Sequence, residues 1–197
     1  MLDCQVALLE NALARYAVSG EVPQPLGSRH PAITPFQFFA VSDGHIVLAA
    51  GNDGLWRKLC KALGLLDLIE DSRFADNALR TENHAALEPL LAEVLADKTV
   101  AEWCEVLVQA GVPSGPLCDV GEVFNDEQIA AREMIVEIDH PIAGRQAMPN
   151  SPLKFSQTPI QLQRPAPLLG QHTEEGLRDM LDLGTDEITG LRADGVI

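Results

Sequence analysis

The chain has 197 residues, enough for one or two domains with a buried core. Hydrophobic residues make up 46% and charged residues 22%, a balance that excludes a disordered or collagen-like chain. Lys and Arg number 14 against 29 Asp and Glu, a net charge of −15, so a nucleic acid, which needs clustered cations, is excluded as the expected partner. Residues 99–139 carry nine acids against one base, Arg132; this stretch reads as a solvated face, with cation binding as the alternative. Arg57, Lys58 and Lys61 form the densest basic group and read as a solvated helix face, with phosphate contact as the alternative. No apolar run reaches the ~20 residues of a bilayer span, and the first residues lack the cationic and cleavage-site pattern of a secretory leader. No membrane partner and a cytoplasmic location are therefore expected. Cys4, Cys60, Cys104 and Cys118 form no zinc or redox motif and are expected to be buried packing thiols in a reducing compartment.

In chain order, Leu2, Val6, Leu9, Leu13 and Tyr16 make one apolar stripe of a helix that Gly20 closes. The periodicity already runs at residue 2; a segment cut from something longer is expected, with a domain that simply opens with a helix as the alternative. Residues 20–35 hold four prolines and read as an irregular connector. Two β-type runs, 36–41 and 45–50, flank Asp43-Gly44 and predict a hairpin. Asn52 or Asp53 caps a helix that ends at Gly64. Residues 76–97 predict a longer helix with Pro89 as a break or kink. Thr99 with Glu102, and Asp119 with Glu122, have the spacing of capping boxes; the first helix ends near Gly111 and the second runs brokenly to Arg132. Strands follow near 135–138 and 146–148, around a turn at Pro141–Gly144. Prolines recur through 149–167, an extended linker, and helices open at Thr173 and at Thr185 or Asp186. The pattern predicts an α+β protein: a small mixed module over 36–148, a helix at 1–19, linkers at 20–35 and 149–169, and helical ends at 170–197.

Chemistry is harder to read. Gly51-Asn52-Asp53-Gly54 joins a strand to a helix, and a helix N-terminus there offers free N–H groups to a carboxylate or phosphate; a plain capped helix is the competing reading. The turn matches neither a Walker loop nor a dinucleotide fingerprint. His30, His45, His84, His140 and His172 are scattered without metal-ligand spacing, and no serine sits in a nucleophile elbow.

Several ordered blocks carry more. Gly20-Glu21-Val22-Pro23, Leu26-Gly27-Ser28-Arg29-His30-Pro31, Thr34-Pro35-Phe36-Gln37, Asp43-Gly44-His45-Ile46, Gly51-Asn52-Asp53 and Trp56 come first. Gly111 to Pro116, Pro152 to Ser156 and Ala166 to Thr173 follow. Together they resemble the C-terminal half of the class III CoA-transferases, the CaiB/BaiF family. The resemblance implies a small domain between two linkers, flanked by helices of a Rossmann-like large domain, in an interlocked homodimer. It implies CoA transfer from an acyl-CoA to a carboxylic acid, through anhydride and thioester intermediates on an aspartate. That aspartate belongs to the N-terminal half, and no residue here matches its motif, so no catalytic residue is assigned and the chain is expected to be inactive without a partner half. CoA enters as a thioester substrate, and no permanently bound cofactor or metal is expected.

The resemblance places the acyl pocket's wall at Gly27, Ser28, Arg29 and His30, where members carry a glycine-containing loop, and at Gly51, Asn52, Asp53 and Gly54. The run of glycines is missing here, since only Gly27 is present. Two alternatives stay open. One is an α-methylacyl-CoA racemase of the same fold, whose members have a glutamate near the position of Asn52. The other is a non-catalytic assembly module.

Overall fold

Phe39, Ile46 and Leu48 fall on alternate strand positions, and all are buried, so the two β-type runs share one inward face. A computed structural model describes residues 1–162 and 164–197, which divide into two units, Met1–Leu117 and Cys118–Ile197. The division falls inside the 36–148 stretch that the sequence pattern treats as one module.

The first unit opens with α1 (Leu2–Leu8) and α2 (Glu10–Ser19), followed by the connector. The expected single helix is interrupted at Leu9, where Glu10 takes a φ of +32°. Gly20 closes α2 in the left-handed conformation, as its position implied. The stripe is not buried: Leu2, Val6, Leu9, Leu13 and Tyr16 are 44–76% exposed.

Strand β1 (Phe36–Ala40) pairs antiparallel with β2 (His45–Ala49), with Phe38 opposite Val47. Helix α3 (Asp53–Leu63) follows, capped by the Asn52 side chain on the Leu55 N–H and closed by left-handed Gly64. Its inward residues Trp56, Leu59, Cys60 and Leu63 are buried, while Arg57, Lys58 and Lys61 lie on the exposed face. Short α4 (Asp67–Glu70) and a 3-10 turn at Ser72–Phe74 follow; neither is long enough to leave a periodic pattern.

The expected 76–97 helix is two helices, α5 (Asn77–Glu82) and α6 (His84–Leu95). The break is at Asn83, and α6 runs through Pro89. Asn83 donates its side-chain amide to the carbonyls of Leu79 and Arg73, so its side chain competes with helical continuation. Helix α7 (Val100–Gln109) has the Thr99–Glu102 capping box, and Asp43 accepts the Val100 N–H at 2.8 Å. Strand β3 (Ser114–Pro116) then joins β2, giving the order β1-β2-β3. A three-residue edge strand ending in proline gives no alternation to read. The core gathers Phe39, Ile46, Leu48, Trp56, Phe74, Leu87, Leu91, Trp103 and Leu107 from β1, β2, the 3-10 turn and helices α3, α6 and α7.

The second unit begins with α8 (Val120–Asn125), under the Asp119–Glu122 capping box, and α9 (Glu127–Ala131). Strands β4 (Ile135–His140) and β5 (Gly144–Pro149) form an antiparallel hairpin. Its turn is held by His140 Nδ1, which accepts the N–H groups of Ile142 and Ala143. The expected linker at 149–169 begins on the last residue of β5; its residue 163 lies outside the described residues. Helices α10 (Thr173–Leu181) and α11 (Thr185–Ala193) end the chain, with His172 in the first cap position. An apolar cleft of about 430 Å³ opens between Val123, Phe124, Ile129, Met134 and Met148. Among the described residues, no helix is long and apolar enough to cross a membrane.

The expectation of four buried thiols needs correction. Cys60 is buried and Cys104 half-buried, but Cys4 and Cys118 are exposed, because α1 and the segment after β3 lie on the surface. Burial pushes the Cys60 thiol up to about 12, against the opposing charge of Arg80. In native protein an aromatic disulfide reagent should therefore modify Cys4 and Cys118 quickly and Cys60 only on unfolding; equal rates at Cys60 and Cys118 would contradict the packing described.

Candidate functional site

The strand-to-helix turn is shaped by a close approach. A Cβ on Gly51 would stand 1.9 Å from Ile33 Cγ2, so only glycine lets the connector lie against the end of β2. Asn52 takes an extended conformation and spends its side chain on the α3 cap. The turn and the connector enclose an open cleft of about 820 Å³, lined by Ile33, Phe36, Gly51, Asn52, Asp53 and Asn77 among others. Gly54, in the first turn of α3, is exposed and outside that lining. Asp76 also faces the cleft and caps α5 through the Leu79 N–H.

Beneath this cleft lies a residue the sequence did not single out. Arg80 of α5 is fully buried. Its Nε donates to the Thr34 carbonyl at 2.9 Å and its Nη1 to the Phe74 carbonyl at 3.1 Å. Its Nη2 donates to the Gly51 carbonyl at 2.9 Å and to Asp53 Oδ1 at 3.1 Å. The guanidinium also lies over the Trp56 ring, 5.2 Å from its centroid. Asp53 is 47% exposed, so the ion pair is half-screened, and the three carbonyls are the weightier partners.

Helix α5 holds the connector with two further side chains. Asn77 donates to the Ala32 carbonyl at 2.7 Å and accepts the Thr34 N–H at 3.0 Å. The Thr81 and Thr34 hydroxyls meet at 3.0 Å. Asn77, Arg80 and Thr81 stand three and four positions apart, the spacing of one helix face.

The other predicted segment lines a different cleft, of about 500 Å³, on the same unit. Gly27, Ser28 and Arg29 form one side, and Gln37, His84 and Glu88 the other. His30 lines neither cleft; its ring stacks on Phe36 at 5.3 Å and its backbone N–H donates to the Phe36 carbonyl. The predicted residues thus fall into two groups, separated by the connector that Asn77, Arg80 and Thr81 clamp.

The second cleft holds a polar relay. His84 Nε2 and Gln37 Oε1 are 2.6 Å apart, and Gln37 Nε2 donates to Glu88 Oε1 at 2.8 Å. The other Glu88 oxygen stands 3.6 Å from His84 Nδ1. Burial, then the positive charge of Arg29, holds His84 below the ordinary imidazole value, against the opposing pull of Glu88. Gln37 was legible in principle: it shares the strand parity of buried Phe39, so a polar side chain points inward at a core position. Among the described residues, no group of three or more His, Cys, Asp or Glu side chains is placed to hold a metal ion.

A sequence profile described as CoA-transferase family III matches residues 1–173, and the chain belongs to this family. It is 32% identical over 197 residues to the mouse succinyl-CoA:glutarate CoA-transferase, covering 100% of this chain and 45% of that protein. It is 38% identical over 172 residues to the acetyl-CoA:oxalate CoA-transferase of Acetobacter aceti, covering 87% of this chain and 43% of that one. A crystal structure of a CaiB/BaiF family protein from Brucella suis is 37% identical, superposes with a TM-score of 0.73, and covers 91% of this chain and 46% of that chain. The mixed α+β architecture expected from the sequence is the architecture observed. The chain spans less than half the length of these relatives.

Two expectations follow. Arg80→Met should destabilise the protein by about 3 kcal/mol, because three carbonyls, two of them in buried bonds, lose their donor, whereas Asp53→Asn should cost less than about 1 kcal/mol. Urea unfolding of both variants checks this, and equal losses would contradict the ranking. His84 has a lower pKa folded than unfolded, so the unfolded chain binds the proton more readily. Its contribution is complete above the unfolded value of about 6.5 and is lost as pH falls through it. The melting temperature should fall more steeply on acidification in the parent than in His84→Gln; parallel profiles would remove the effect.

Proposed function

We propose that this chain is the C-terminal portion of a CoA-transferase that moves CoA between an acyl-CoA and a carboxylic acid, with the nucleophilic aspartate outside its 197 residues. The observation that carries this reading is that the acids lining both clefts are engaged. Asp53 accepts from Arg80, Asp76 caps α5, and Glu88 accepts from Gln37. Asp43, on the hairpin turn, caps α7. The family's chemistry needs a carboxylate free to attack a thioester carbonyl and expel CoA thiolate as a mixed anhydride forms; the thiolate then attacks the aspartyl carbonyl, giving an aspartyl thioester and releasing the donor acid. The acceptor's carboxylate displaces the thiolate to form a second anhydride, and the thiolate attacks the acceptor's carbonyl, releasing the acyl-CoA product and freeing the aspartate. Shielding from water matters throughout, because anhydrides hydrolyse. On this reading the chain supplies walls: the Gly51–Asp53 turn and the Gly27–His30 segment.

The same reading assigns 1–19 and 170–197 to a large domain, 36–148 to a small domain, and 20–35 and 149–169 to linkers. The exposed stripe on α1 and α2 supports this, as a surface awaiting the rest of the large domain. An interlocked homodimer or a separate N-terminal half would supply it, in a reducing cytoplasm. The named acceptors of the matched relatives, glutarate and oxalate, are dicarboxylic acids, and we take that substrate class for this chain. The racemase alternative needs a free acid at the turn, where Asn52 and Asp53 are both committed to structure.

Exchange of labelled CoA into acyl-CoA tests the proposal. The chain alone should give none, and adding a family N-terminal half should restore exchange without deuterium entering the acyl α-carbon. Exchange by the chain alone would overturn the placement of the nucleophile. Silence in both arms would favour the assembly module, and deuterium uptake without CoA exchange the racemase.

A further inference from the structure

The second cleft contains one cation and one carboxylate, and their situations differ. Glu88 is already served by the Gln37 amide and lies beside His84. Arg29 has no such partner: among the described residues no carboxylate lies within ion-pair distance of it. Its Nη2 donates to the Thr81 carbonyl at 3.1 Å, which ties the guanidinium to the α5 clamp and limits its rotamers. Among the described residues its buried Nε has no hydrogen-bond partner, and no bond engages its Nη1. Beside it, Ser28 Oγ accepts the Phe38 N–H at 3.4 Å, leaving the hydroxyl proton free to donate. A guanidinium that is fixed, half-buried and short of acceptors, next to a free hydroxyl in a cleft, matches the donor pattern of a carboxylate site.

We propose that Arg29, assisted by the Ser28 hydroxyl, anchors the non-reacting carboxylate of a dicarboxylic acid substrate in the cleft bounded by Gln37, His84 and Glu88. This rests on the transferase reading and deepens it. The reacting carboxylate would be held elsewhere, within reach of the nucleophile, so the Arg29 cleft acts as a selector: it takes acids with two charged ends. Glu88 sharpens the selection. Its charge repels an anion that is not held on the Arg29 side, and as a carboxylate it offers nothing to an uncharged acyl tail. His84, neutral and directed at Gln37, keeps the Glu88 side of the cleft in place without adding a competing cation.

The test uses the 197-residue chain with glutarate and pentanoate, which have the same carbon chain and differ in the second carboxylate. Glutarate, titrated into isotopically labelled protein, should shift the Arg29 Nε–H signal and the Gly27 and Ser28 amides, with a Kd in roughly the millimolar range. Pentanoate should leave them in place. Arg29→Gln should abolish the glutarate shifts with the rest of the spectrum unchanged. Arg29→Lys, which keeps the charge and loses the fork, should weaken binding at least about tenfold. Absence of glutarate shifts, equal shifts with pentanoate, or shifts retained in Arg29→Gln would each overturn the proposal. The transfer assay separates this from the underlying reading. Glutarate binding through Arg29 without transfer in the reconstituted enzyme sinks the transferase and leaves the anchor. Transfer whose glutarate-over-pentanoate preference survives Arg29→Gln sinks the anchor and leaves the transferase.

Discussion

The Arg80 guanidinium organises the part of the molecule that shapes the two clefts of the first unit. It is a full positive charge with no exposed surface, and desolvation makes such a group unfavourable unless it is hydrogen-bonded. Four of its five N–H donors are met here, by carbonyls from three separate segments, Thr34, Gly51 and Phe74, and by Asp53. None of those segments continues a helix or strand at that point, so their carbonyls have no regular ladder to join. One side chain supplies the missing donors and thereby fixes the connector, the strand-to-helix turn and the 3-10 turn relative to one another.

That constraint explains why the two clefts have their shapes. The connector from Arg29 to Thr34 contains Pro31, runs into Pro35 and lacks regular hydrogen bonding, yet it forms a wall of both clefts. It is held by Asn77, Arg80 and Thr81 on one side and by the absence of a Cβ at Gly51 on the other. Its fixation carries through Thr81 to Arg29, the guanidinium proposed to read a substrate carboxylate. A short helix of six residues thus positions two surfaces that the chain order keeps apart.

How much of this could be read from the sequence depended on the kind of signal. The hairpin, α3 with its caps, and the capping boxes of α7 and α8 were legible because each is decided by neighbours within four residues. The 76–97 helix was misread because Pro89 is a stronger local signal than Asn83, yet the break depends on the Asn83 amide reaching the carbonyls of Leu79 and Arg73. Burial of Cys4 was misjudged for a related reason: an apolar stripe records a tendency to be covered and does not name the cover. Site residues followed the same division. Ordered blocks led to Gly27–His30 and Gly51–Gly54, but apart from the Phe74 carbonyl, Arg80 and Gln37 acquire their roles from partners 27 to 51 positions away. The placement of the two segments in separate clefts is likewise a tertiary fact with no local trace.

The resulting account assigns shape and recognition to this chain and bond-making to a carboxylate elsewhere. Trapping the covalent intermediate tests that division most directly. Hydroxylamine added to the reconstituted enzyme during turnover would displace CoA thiol from the aspartyl thioester and leave a hydroxamate, which peptide mass spectrometry can locate. The account predicts a hydroxamate on the supplied N-terminal half and an unmodified 197-residue chain. A hydroxamate on Asp43, Asp53, Asp76 or Glu88 would contradict it.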